Sequence, residues 1–154
     1  MKIKFYLFLF SFLSVPNLSH GAQSNLPFRA SLEESCTIEI VSDGVLARDG
    51  LGILDSSAAG GRAGVAAIYT TGSGFQASLT APQVFSTAPA GTGAVTFTTT
   101  YSSSGATSIA KMPGTRSVLL GRGASSFVID LRAVADGAIF HQGEYEALVT
   151  VTCE

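Results

Sequence analysis

Cys36 and Cys153 are the only cysteines in the chain of 154 residues. Two thiols can form a bridge, act as a redox pair, or join other ligands around a metal. A redox pair usually shows C-x-x-C spacing, which is absent. A metal site needs further nitrogen or sulfur ligands, and past the first 22 residues His141 is the only histidine. The expectation is a structural disulfide, with a metal site as the competing reading. Hydroxyl groups are abundant, as in "TTTYSSS" from Thr98 to Ser104. A serine nucleophile needs a positioned base. His141 stands alone in "FHQGEY", and no G-x-S-x-G elbow occurs. Glu144 and Glu146 fall on one face of an extended strand, where two carboxylates can do hydrolytic work or hold Ca²⁺, although solvated strand faces commonly carry such pairs. "GRGASS", Gly121 to Ser126, resembles an anion-binding glycine loop but lacks the terminal lysine and the strand–loop–helix setting. These residues point away from an enzyme, and no cofactor is expected.

The elements around these groups begin with a leader. Lys2 and Lys4 precede an apolar run from Phe5 to Val15, and small residues follow at Ser19, Gly21 and Ala22. This is the layout of a secretory signal peptide over residues 1–22, cut after Gly21 or Ala22. The run is shorter than the roughly 20 residues a membrane span needs. Export places the cysteines in an oxidising compartment, the periplasm or the cell surface. The mature chain of 132 or 133 residues suits one domain. It carries seven basic against eleven acidic residues, the basic ones scattered singly, so no nucleic-acid footprint is expected and no membrane span follows.

The rest alternates with period two. "SCTIEIVS" puts Cys36, Ile38 and Ile40 on one face. "GFQASLT" does so with Phe75, Ala77 and Leu79, "AVTFTTTY" with Val95, Phe97 and Tyr101, and "SFVIDLR" with Phe127, Ile129 and Leu131. "GEYEALVTVTCE" aligns Tyr145, Ala147, Val149, Val151 and Cys153. "AGVAAIYTT" and "RSVLLG" are weaker strands, apolar on both faces. "LRAVADGAIF" has room for one helical turn before Gly137. Turn signals recur about every ten residues, including "SSSG" at 102, which predicts an antiparallel sandwich rather than a barrel. Asp55 to Gly64 is expected to be a loop. A bridge between Cys36 and Cys153 ties the first strong strand to the last.

One more alternating run, "NLPFRASL", sets Leu26, Phe28, Ala30 and Leu32 on one side ahead of the polar "EES" at 33–35. Residues 23–35 are either an extension or a first strand, because the run keeps the parity of Cys36, Ile38 and Ile40. Residues 36–154 form the sandwich domain.

In layout, the cysteine in the first strand, the small-residue middle, "SVLLGRGASSFVIDLRAV" and the closing Gly143, Tyr145, Val149 and Val151 of "GEYEALVTVTCE" resemble bacterial chaperone–usher pilin-type domains, above all the archaic pilins and spore-coat-protein-U-like domains. The resemblance implies an immunoglobulin-like β-sandwich lacking one strand. Its apolar groove would be filled first by a periplasmic chaperone and then by the N-terminal extension of the next pilus subunit. On that reading Leu26, Phe28, Ala30 and Leu32 form the donor strand, and the protein is a structural subunit of a surface fibre or coat. Pro27 departs from an ideal donor, since it lacks an amide hydrogen. The alternative is a complete, monomeric secreted sandwich that binds carbohydrate or protein through "DSSAAGGRAG" (55–64) and "YSSSGATSIAKMPG" (101–114).

Overall fold

The computed structural model describes residues 21–154, so the signal peptide expected over residues 1–22, apart from its last two residues, lies outside the described residues. No helix occurs among them, and every strand pairing is antiparallel. The chain divides into two units, residues 1–31 and 32–154. In the first, residues 21–31 contain no strand and are exposed.

The second unit holds ten strands: β1 (Cys36–Ser42), β2 (Ala47–Arg48), β3 (Ile53–Asp55), β4 (Gly64–Thr70), β5 (Gln76–Thr80), β6 (Val95–Gly105), β7 (Ile109–Pro113), β8 (Val118–Leu119), β9 (Gly123–Ala135) and β10 (Thr150–Cys153). The longest, β9, is the axis of the larger sheet. Along one side it pairs β6 over its whole length, and β7 lies beyond β6. Along the other side β4 takes its first half and β3 its second, with β1 outside β4 and β2 outside β3. The smaller sheet runs β10–β5–β8.

The two sheets stack through the faces that the alternation selects. Ile68, Tyr101 and Phe127 of the larger sheet meet Ala77 and Leu79 of the smaller one and Leu120 after β8. A second cluster below it gathers Leu54, Ala133, Ala135 and Phe140, flanked by Phe85, Phe97 and Tyr145. Burying an aliphatic or aromatic side chain of this kind contributes roughly 1.5–3 kcal/mol each. Polar groups on the inner face are paired. Ser103 donates to the Thr107 carbonyl, Thr107 N–H donates to Ser125 Oγ, and Thr70 donates to the Gly121 carbonyl. No buried side-chain nitrogen or oxygen lacks a partner among the described residues.

Three expectations need correction. "SSSG" is not a turn: β6 continues through it to Gly105, because Ser103 faces inward and finds Thr107. The stretch 101–114 is therefore a β6–β7 hairpin rather than a loop. "LRAVADGAIF" holds no helical turn. It is the end of β9, where Leu131, Ala133 and Ala135 face the core. The closing strand is short: only Thr150–Cys153 joins the smaller sheet, and ahead of it Glu146 makes a single bridge to Thr87.

Candidate functional site: an open edge between the sheets

The sandwich has two long sides, built differently. On one, the chain passes from β7 in the larger sheet to β8 in the smaller one through residues 114–117. Gly114 N–H donates to the Thr99 carbonyl, the Tyr101 hydroxyl to the Arg116 carbonyl at 2.7 Å, and Leu120 N–H to the Phe75 carbonyl. That side is stitched shut. On the other, β1 is the edge of the larger sheet and β10 the edge of the smaller one, and the two do not pair. Cys36 and Cys153 form a disulfide at one end of this gap, with Cα atoms 6.4 Å apart. From there β1 runs down towards Ser42 while the closing segment runs up from Tyr145, so the facing edges are antiparallel.

The ladder alternation fixes which backbone groups face the gap. Gln76 and Glu154 exchange both N–H···O bonds, at 2.6 and 3.0 Å. Hydrogen-bonded pairs alternate along an antiparallel ladder. Thr152 and Thr150 therefore turn their amides to β5, and Val151 and Cys153 turn theirs to the gap. Thr71 N–H donates to the Ser35 carbonyl, so on the same alternation Cys36, Ile38 and Ile40 turn their backbone groups to the gap from the other side. Among the described residues neither row is paired to a further strand.

Where the rows reach Ile40 and Val151, away from the bridge, a trough of about 340 Å³ opens. Its walls and floor include Ile40, Val45, Leu46, Leu131, Tyr145 and Val149. Ile38 and Ile40 point the way the sequence predicts, yet they are 36 % and 62 % exposed, and no strand among the described residues covers them. Ile129 and Leu131 of β9 floor the trough, and Leu148, on the opposite face of the closing segment from Val149, is 64 % exposed on its rim. The lower end rests on an aromatic group in which Phe85 meets Phe97, Phe140 and Tyr145 edge-on, with ring centroids 4.8–5.9 Å apart. Ser56 in the trough wall donates to Asp130 and accepts from the Leu131 amide. The trough offers apolar walls and two open hydrogen-bonding edges, which suits an extended strand.

The other candidates are not brought together. His141 is exposed, and its carbonyl accepts from the Tyr145 hydroxyl. Glu144 is exposed, while the Glu146 carboxylate accepts from Thr87 at 3.3 Å. In "GRGASS" the Gly121 amide is already used by Thr107 Oγ1. No group of three or more His, Cys, Asp or Glu able to hold a metal occurs among the described residues. The 55–64 loop is occupied internally: Asp55 accepts from the Ser57 amide and hydroxyl and from Arg132, which holds it at 2.9 Å. Burial raises the Asp55 pKa, but these three donors together outweigh it and leave the carboxyl below its ordinary value. Leu26, Phe28 and Leu32 are 77 %, 92 % and 92 % exposed, and Ala30 is exposed too. Sequence reasoning missed Leu46, Val45, Phe85 and Leu148. Only Leu148 left a signal, as an apolar residue on the wet face of the closing strand.

Comparison of the chain with protein-family models, with curated proteins and with solved structures finds no match in any of the three.

Proposed function

We propose that this protein is an exported structural subunit, pilin-like in plan, whose open edge receives one extended strand from another molecule. The fold would then be an immunoglobulin-like sandwich lacking one strand. The observation that carries the reading is the open side beyond the Cys36–Cys153 bridge, where Ile40 of the β1 edge faces Val149 and Val151 across an apolar trough. A strand inserted beyond the bridge would pair with the open backbone groups there and cover Ile40 and Leu148. Such strand addition draws affinity from main-chain bonds and specificity from alternate side chains. Residues 26–32 of a second copy supply the strand, since Leu26, Phe28, Ala30 and Leu32 repeat with the period of a strand and are exposed. A periplasmic chaperone would hold the same edge before assembly, and the site of action would be a fibre or coat at the cell surface.

The test uses a chain lacking residues 23–33 and a synthetic peptide spanning them. The truncated chain should remain monomeric, and the peptide should raise its melting temperature. A peptide with Phe28→Asp and Leu32→Asp should not. Assembly of the truncated chain to the same extent as the intact one, together with no response to the peptide, sinks the reading.

A further inference from the structure

If residues 26–32 can fill a groove, the one they are tethered to is their own. The strand would need to reverse at Glu33–Ser35, pass the Cys36–Cys153 bridge and run back beside β1, and three-residue loops are common in hairpins. A donor tethered so closely competes at an effective concentration near millimolar. Self-filling should therefore outrun exchange between molecules unless something holds the linker away from the gap.

The linker is held. Ser35 carries the β1–β4 register one residue past Cys36, on the side of β1 that faces away from the gap. Its carbonyl accepts from Thr71 N–H at 2.9 Å, its own N–H donates to Thr71 Oγ1 at 2.8 Å, and the two hydroxyls lie 3.2 Å apart. Glu34 reaches across Gly72, where a Cβ would collide with the glutamate side chain, and its carboxylate faces Arg122 at 3.7 Å. At the same pole the Cys36–Cys153 bridge occupies the end of the gap round which a reversing chain would pass.

Resting on the strand-addition reading above, we propose that the contacts of Glu34 and Ser35 with Thr71, Gly72 and Arg122 form a latch that stops the chain from filling its own groove and reserves residues 26–32 for a second copy. The latch decides between a self-sealed monomer and a polymer. Each of its contacts is modest, since a hydrogen bond nets little in water and an exposed ion pair less. The device therefore biases the choice rather than locking it.

The experiment compares four chains exported with their leader: wild type, the 23–33 deletion, Thr71→Val with Arg122→Ala, and Gly72→Ala. Size-exclusion chromatography under non-reducing conditions gives the multimer-to-monomer ratio, and limited proteolysis reports whether residues 26–32 are protected. The latch variants should lower the ratio about tenfold and yield monomers in which Phe28 is protected from cleavage. Where Thr71→Val does not fold, Glu34→Ala with Arg122→Ala leaves the ladder intact and should shift the ratio in the same direction. Latch variants that multimerise like wild type, while the deletion stays monomeric, overturn the latch but leave strand donation standing. A wild type that is monomeric with residues 26–32 freely cleaved overturns both.

Discussion

Replacing both cysteines, Cys36→Ala with Cys153→Ala, tests how the open side is held. The bridge spans 117 residues of sequence. In the chain-entropy argument, closing a loop of that length in the unfolded ensemble is worth about 5 kcal/mol at 25 °C. That is a large part of the roughly 5–15 kcal/mol that separates folded from unfolded domains. In the folded state Cys36 and Cys153 are partly buried against the cluster of Ile68, Tyr101 and Phe127, so the double variant also loses a little packing. Urea denaturation of residues 23–154 at low protein concentration should show a loss of about 4–5 kcal/mol. The slope against urea should steepen, because the unbridged unfolded chain exposes more surface. Thermal unfolding should drop by about 15 °C for a chain of this size. A loss under about 1 kcal/mol with an unchanged slope would refute the reasoning, since the bridge would then constrain neither the unfolded chain nor the gap.

Ile38 and Ile68 are register partners on β1 and β4, yet Ile68 is 1 % exposed and Ile40, the next inward residue of β1, is 62 % exposed. Ile68→Ala should cost about 2–5 kcal/mol by urea titration, whereas Ile40→Ala should stay within about 0.5 kcal/mol in the isolated chain and, on the proposed reading, weaken only a strand-filled form. Tyr101→Phe removes the donor to the Arg116 carbonyl at the stitched side and should cost about 1 kcal/mol in the same titration. Asp55 has a lowered pKa when folded, so its contribution is complete above the ordinary carboxylate value of 3.8 and is lost as pH falls through that value to the folded one. Asp55→Asn should therefore flatten the decline in the urea midpoint between about pH 5 and pH 2, and an unchanged decline would count against the Ser57 and Arg132 contacts.

Period-two alternation made β1, β5, β6 and β9 legible, because an inward side chain at every second position is a property of the strand itself. Tyr101, Phe127 and Leu131 sit where it places them. It failed where polar or small residues face the core. Ser103 looked like part of a turn because its partner, the Thr107 carbonyl, is set by the hairpin. Ala133 and Ala135 looked like helix because small side chains carry little strand signal, although β9 needs them beneath Phe140. The apolar run at 64–70 resisted assignment because β4 lies between two strands and is partly covered on both faces. The trough was illegible for a more general reason. Parity states which way Ile38 and Ile40 point, but whether anything covers them depends on the spatial order of the strands.

That order makes the open side hard to read as incidental. Exposed sheet edges invite pairing with other chains, and folded proteins usually blunt them with lysine, proline, a bulge or a covering segment. Here those devices are distributed unevenly. The β7 edge carries Lys111 and Pro113, and Lys111 is tied to Asp130 at 2.8 Å, while residues 114–120 cross over to close that side. Neither β1 nor β10 contains a lysine or a proline, and the one irregularity on β1, between Ile40 and Ser42, falls at its far end. A chain protected against edge pairing in general would guard both sides. On the proposed reading, a chain guarded at β7 and left open between β1 and β10 would favour strand addition at that opening, with a disulfide fixing one end of it and its width there.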